Sequence, residues 1–369
     1  MAGERVNLFL CGDVMTGRGI DQILQHPSEP TIYEPFMTSA AAYVELAEQA
    51  SGPIPRPVDF AYVWGDALAE IEARSPDVRL VNLETAVTTS QEPLPKGINY
   101  RMHPANVPCL LAAGIDCCAL ANNHALDWGA AGLVQTLDSL RGAGIATAGA
   151  GRTLKEAARP AFIEKPGRGR VLVFAFGSPT SGIPFDWAAT KSRPGVQLLP
   201  DLSDRTAARI ADQIRKRRRS GDVVVASVHW GENWGYQISP AQRTFAHRLV
   251  DSGPVDILHG HSSHHVKGIE VYHGRLILYG CGDFINDYEG IGGHEEFHPD
   301  LVLAYFARLD PGTRRLARLE MVPFRSRRLR LERAPIEDAE WLRGVLVREG
   351  RDLNTGAELA AEGAIALRW

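Results

Sequence analysis

Five short apolar runs in this chain each end on a side chain that can bind a metal or carry a proton. Residues 5–11 lead into Gly12-Asp13, and Val78–Leu83 stops at Glu84. Ile115–Leu120 runs into Ala121-Asn122-Asn123-His124, and residues 222–228 end at His229. The fifth run, Val255–Leu258, opens onto His259-Gly260-His261-Ser262-Ser263-His264-His265. Runs this short and this apolar are the length of buried strands. Helix-patterned segments separate them, which predicts an α/β fold with sheets covered by helices. In such sheets, sites form just beyond the carboxyl ends of strands. One strand ending in Asp carries little meaning; five with matching endings form a joint signal.

Helices are expected at 40–50, 66–73, 104–113, 127–142, 202–219, 240–252 and 336–348. His273-Gly274 predicts a hairpin between 268–272 and 275–279. Residues 300–309 and 315–332 are expected as strands, the second alternating Arg with apolar residues as an edge strand does. Residues 26–60, rich in Pro, Ser and Ala, form a long excursion of the kind used as a lid or binding loop. One main domain, 1–332, is expected, with a C-terminal helical tail, 333–369, packed on it.

The net charge of −4 implies no general affinity for nucleic acid or anionic membranes. The basic run Arg215–Arg219 is read as the cationic close of a helix. The five cysteines are odd in number and lack zinc-finger spacing, so they are read as reduced, mostly as small hydrophobes. No stretch has the length and apolarity of a bilayer span, and the first apolar run is too short for a signal segment. The expected setting is cytoplasmic, with a peptide substrate and neither nucleic acid nor membrane as partner.

Carboxylate, amide oxygen and imidazole are the ligands of hard or borderline divalent metals. The candidate ligands are Asp13, Glu84, Asn123, His124, His229, His261 and His264, with His265 as the alternative to His264. Arg18 and Arg101 are candidates for substrate binding; Arg101 suits a bidentate carboxylate contact or, equally, a surface ion pair. Trp128, Trp230 and Trp234 stand beside these motifs, as pocket walls or as core. Asp283 and Asp287 are either partners that orient histidines or turn formers.

The chain resembles the CapA-type proteins, named for capsule poly-γ-glutamate synthesis, within the calcineurin-like metallophosphatase fold. The resemblance rests on Gly12–Arg18, Val81–Glu84, Leu120–Gly129, Val228–Glu232, Gly260–Val266 and Leu278–Phe284, and spans roughly residues 5–290. It implies a two-sheet sandwich flanked by helices. It also implies a diluted metal site. Metallophosphatases usually begin with Asp-x-His, whereas Asp13 is followed by Val14-Met15. Glu84 stands where they carry a bridging aspartate, and Gly-His-x-His is stretched to Gly260–His265.

Three functions follow. One is metal-dependent hydrolysis of a phosphoester or amide. A second is a role in polyglutamate capsule synthesis. The third, favoured from sequence, is epimerisation at a peptide Cα, because a relative of this fold is a cofactor-independent epimerase in lasso-peptide biosynthesis. That chemistry needs paired proton donors and acceptors. Asp13 and His294, in Gly292–Pro299, are assigned to it. Catalysis is then expected to need no cofactor, with a divalent Mn, Zn, Fe or Ca ion as the alternative occupant of the depleted site.

Overall fold

Val6–Val14 (β1) is buried at every position, and its central apolar run Leu8–Cys11 is that of a strand covered on both faces. The structure, a computed structural model, describes residues 6–165, 169–310 and 312–369. Beside β1 lie three parallel strands, Val78–Leu83 (β2), Cys117–Ala119 (β3) and Ala146–Ala148 (β4). The helices Ala41–Ser51 (α1) and Gly129–Gly142 (α2) fall in the connections of this half.

The chain then builds a second sheet. Its strands are Ala161–Lys165 (β5), Gly169–Gly177 (β6), Val223–His229 (β7), Ile257–His261 (β8), Ile269–Tyr272 (β9) and Arg275–Leu278 (β10). Their spatial order is β9-β10-β8-β7-β6-β5. Asp204–Arg215 (α3) and Pro240–Asp251 (α4) cover its outer face. Both start on a serine cap: Ser203 accepts from Thr206 N, and Ser239 with Gln242 forms a capping box.

Asp283–Ile285 (β11) returns to pair with the end of β1. Leu301–Leu309 (β12) and Leu316–Arg327 (β13) then extend the first sheet antiparallel on the other side of β1. Arg330–Arg333 (β14) folds back on β13. After the helix Ile336–Gly350 (α5), Gly356–Leu359 (β15) and Ile365–Arg368 (β16) complete this sheet of ten strands. The expected two-sheet α/β sandwich flanked by helices is the observed architecture.

Period two sorts the second sheet into two faces. Val171, Val173, Val223, Val225 and Ile257 point into the core shared with the first sheet. Leu172, Phe174, Val224, Ala226, Val228 and Leu258 pack under α3 and α4. Each such fully buried aliphatic side chain contributes about 2 kcal/mol from area removed from water. Ser227, His229, His259 and His261 share the inward parity, so the core-facing side of these strands ends in polar groups at its carboxyl edge.

Three expectations need correction. β13 is not an edge strand, because β16 pairs with its Glu320 and Met321 on the side away from β12. The segment 333–369 is helical only in its first half; its second half is strand and belongs to the main sheet. The helix expected at 202–219 stops at Arg215, and Arg218 leaves it to pair with Asp256 at 2.9 Å, so the basic run does not simply close a helix.

Candidate metal centre

Two backbone features bring the strand ends together. The register of β1 against β2 slips between Leu10 and Asp13, which takes Cys11 and Gly12 out of the ladder. The freed Cys11 carbonyl accepts from His259 Nε2 of the second sheet at 2.7 Å. Gly12 lies against Gly282, where a Cβ would stand 1.6 Å from the carbonyl oxygen, so only glycine permits the approach. Asp13 therefore sits level with Asn82 of β2 and Asp283 of β11. On the facing sheet, His229 and His261 are register partners on adjacent parallel strands.

The hydrogen positions of the histidines follow from their partners. The Cys11 carbonyl can only accept, so His259 carries its proton on Nε2 and presents a bare Nδ1. Ser227 Oγ donates to that Nδ1 at 3.1 Å and accepts from His261 Nε2 at 2.8 Å. His261 Nδ1 is then a lone pair. His229 Nε2 donates to Asn123 Oδ1 at 2.9 Å, which leaves His229 Nδ1 as a lone pair too. The two Nδ1 atoms face each other at 2.8 Å. A shared proton is disfavoured. Burial, then His124 and His264, push His229 well below its ordinary pKa; burial, then His229 and His259, do so for His261.

Carboxylates complete the site. Asp13 Oδ1 lies 3.8 Å from His261 Nδ1, and Glu84 Oε2 lies 3.9 Å from His229 Nδ1. Asp13, His229 and His261 place ligand atoms within 4.8 Å of one another, and Asp13, His264 and Asp283 do the same. Asp13 thus belongs to both groups. Burial, then the Asp283 carboxylate, push Asp13 up to about 7, while Asn82, donating at 2.7 Å, opposes the shift. Burial, then Asp13 and Asp283, hold Glu84 well above the carboxylate range. Buried carboxylates that raise one another beside two bare imidazole nitrogens form a donor set that fits a divalent cation.

The surrounding groups fix proton positions. His124 Nδ1 donates to Asp127 Oδ2 at 2.7 Å, directing Nε2 toward Glu84 Oε1 at 3.7 Å. Burial lowers its pKa to about 4, with Lys96, 2.7 Å from Asp127, also lowering it. His264 behaves oppositely: burial disfavours its imidazolium, but Asp283, 2.9 Å away, outweighs this and raises the pKa. Asn286 holds the other Asp283 oxygen at 2.8 Å. Of the two neighbouring histidines, His264 joins Asp13. His265 turns toward Tyr236 and Phe297 and bonds the Val266 carbonyl at 3.1 Å.

A cavity of about 350 Å³ opens over His264, walled by Trp234, Tyr288, Ile291 and His294. Of the candidate substrate-binding residues Arg18 also lines this cavity, while its donors and those of the others are spent within the fold. Arg18 is buried, bonded to Asp287 at 2.9 and 2.5 Å and to Glu34 at 2.9 Å, between the rings of Tyr43 and Tyr100. Arg101 gives its donors to the Ser90 and Glu29 carbonyls and stacks on Trp128. Trp128 is buried and donates to the Tyr100 carbonyl. Trp230, one residue past His229, points to the helix-covered face and donates to the Tyr279 carbonyl. His294 stacks on Trp234 at 3.8 Å and makes no contact with Asp13 among the described residues. Asp283, Asn82, Ser227 and His259 are the site residues that sequence reading passed over or left ambiguous.

The profile of the bacterial capsule synthesis protein family PGA_cap matches residues 7–288, which takes in every candidate ligand. The chain belongs to this family. It is 49% identical over 355 residues to a probable polyglutamine synthesis accessory protein of Mycobacterium tuberculosis, covering 95% of this chain and 93% of that protein. The capsule biosynthesis protein CapA of Bacillus anthracis is 26% identical over 285 residues, 77% of this chain and 60% of its own. The PGA biosynthesis protein CapA of Bacillus subtilis is 28% identical over 279 residues, 75% and 62% respectively. The CapA-like resemblance and its metallophosphatase-like fold therefore stand. Epimerisation is carried neither by the family description nor by these relatives' names, and the position of His294 does not favour it. Among the described residues, no helix is long and apolar enough to cross a membrane.

Proposed function

We propose that the protein is a metal-dependent hydrolase that cleaves amide bonds in a glutamate- or glutamine-type polymer, as an accessory to its synthesis. The observation that carries this reading is the pair of bare Nδ1 atoms on His229 and His261, beside the Asp13 carboxylate. A divalent ion, when bound, supplies an acidified water and a polarised carbonyl. The chain's own groups do the rest. His124 Nε2, neutral at pH 7, accepts the proton that the attacking water sheds, and Asp127 keeps the ring oriented. His264 stays off that ion: its Nδ1 bonds Asp283, which raises its pKa, and its imidazolium form gives the Nε2 proton to the leaving nitrogen. Trp234 and Tyr288 wall the cavity above it and limit water. The polymer comes from the relatives' names and the family description.

The test incubates protein reloaded with Mn, Zn or Fe with poly-γ-glutamate, oligoglutamine and an aryl phosphate in deuterated water. New amine ends, lost in His264→Gln and kept in His294→Ala, are expected. Phosphate release alone supports a phosphoesterase instead. Deuterium at Cα without cleavage, dependent on His294, restores the epimerase.

A further inference from the structure

A long basic groove runs along the flank of the second sheet, from the start of β6 and β7 to Leu198 beside Gly177. Two adjoining depressions, of about 940 and 1100 Å³, share Lys155 and Arg217 in their walls. Nine cationic side chains line them, against three acidic ones, Glu156, Asp201 and Asp212. This excess stands on a chain whose net charge is −4. Several cations are committed: Arg141 pairs with Glu156 at 2.8 Å and Arg170 with Asp222 at 2.6 Å. Lys155, Arg159, Arg205, Lys216 and Arg217 are exposed and have no ion pair among the described residues. Arg217 precedes β7 and His229 ends it, so the strand puts about 20 Å between these two residues, and none of the groove's lining residues is a candidate ligand.

We propose that this groove binds an anionic polypeptide, a chain of glutamate carboxylates, at a site separate from the metal centre. Uncompensated cations gathered along a concave surface focus a positive potential. A thread with a carboxylate on every residue meets such a trough along its length, whereas a lipid headgroup plane meets only its rims. The exposed parts of α3 also carry Arg205 and Arg209 on the groove side, extending the positive track past a single contact. The groove thereby holds the polymer and raises its local concentration near the metal centre. The choice of glutamate rests on the polymer named in the proposed function; the binding itself needs neither metal nor hydrolysis.

The test measures fluorescence anisotropy of labelled oligo-γ-glutamate on the full chain in chelator, with oligoglutamine and anionic phosphatidylglycerol vesicles as comparisons. Oligoglutamate is expected to bind with affinity falling steeply as salt rises. Lys155→Glu with Arg217→Glu is expected to weaken it on the order of tenfold, and Lys155→Gln with Arg217→Gln by less, with thermal unfolding unchanged in both. Equal binding of oligoglutamine, indifference to both double variants, or binding of vesicles without oligoglutamate overturns the proposal. Absent hydrolysis with retained oligoglutamate binding counts against the proposed activity alone.

Discussion

His229 Nδ1 and His261 Nδ1 face each other at 2.8 Å, each as the unprotonated end of its ring. Their convergence is imposed from a distance. The Cys11 carbonyl sets the tautomer of His259, His259 orients Ser227, and Ser227 sets His261. A bulge in one sheet thereby fixes a proton in the other.

Ser227→Ala removes the middle of that relay without touching a ligand. The His261 proton is then free to move to Nδ1. Metal affinity is expected to fall by about 10- to 100-fold, with a loss of about 1–3 kcal/mol in unfolding from the two buried ring nitrogens left without a partner. Titration calorimetry of the stripped protein measures it; unchanged affinity removes Ser227 from the role of positioning residue.

The affinity for a divalent ion is expected to depend on pH through the carboxylates. The histidines that face the site, His229 and His261, are held neutral well below their ordinary range, so they do not compete with the ion near neutrality. Asp13, raised to about 7, and Glu84, raised also, hold protons that the ion must displace. Affinity therefore rises with pH through about 7, where Asp13 loses its proton, and binding at pH 6 releases protons. Calorimetry in buffers of different ionisation enthalpy counts them. Proton release that vanishes by pH 6 contradicts the assignment.

Gly12→Ala tests the approach of β1 to the chain before β11. Its Cβ would stand 1.6 Å from the Gly282 carbonyl oxygen, and backbone cannot turn aside as a side chain can. A loss of about 3 kcal/mol is expected in urea unfolding, with metal binding impaired as Asp13 shifts. A variant of native stability contradicts the packing described.

Asp287→Ala leaves Arg18 with one of its two carboxylate partners in a buried setting. The side chains are 2% and 0% exposed, so the stranded charge is expected to cost about 3 kcal/mol. Because Glu34 and Tyr43 also meet Arg18, the segment carrying them is expected to exchange amide hydrogens faster. Unaltered exchange at Glu34–Ser51 argues against this tie.

The strand ends could be read because buried strands stop abruptly at polar residues, and Asp13, Glu84, Asn123, His124, His229 and His261 do converge. The pairing of His229 with His261 depends on the register of β7 against β8, which no local pattern states. Arg18 looked free because Asp287, its partner, is 269 residues away. Trp230 could have been placed by counting: one step past His229 reverses the face. The choice between His264 and His265 depended on Ser262, whose φ of 103° turns the chain so that the following histidine meets Asp283.

The most direct measurement is the metal content of chelator-stripped, reloaded protein, by elemental analysis of wild type, His264→Ala and Asp13→Ala. Since Asp13 belongs to both donor groups, Asp13→Ala is predicted to lose all bound ion, while His264→Ala keeps the ion held at His229 and His261. A folded Asp13→Ala protein that retains the wild-type metal content would contradict the shared centre.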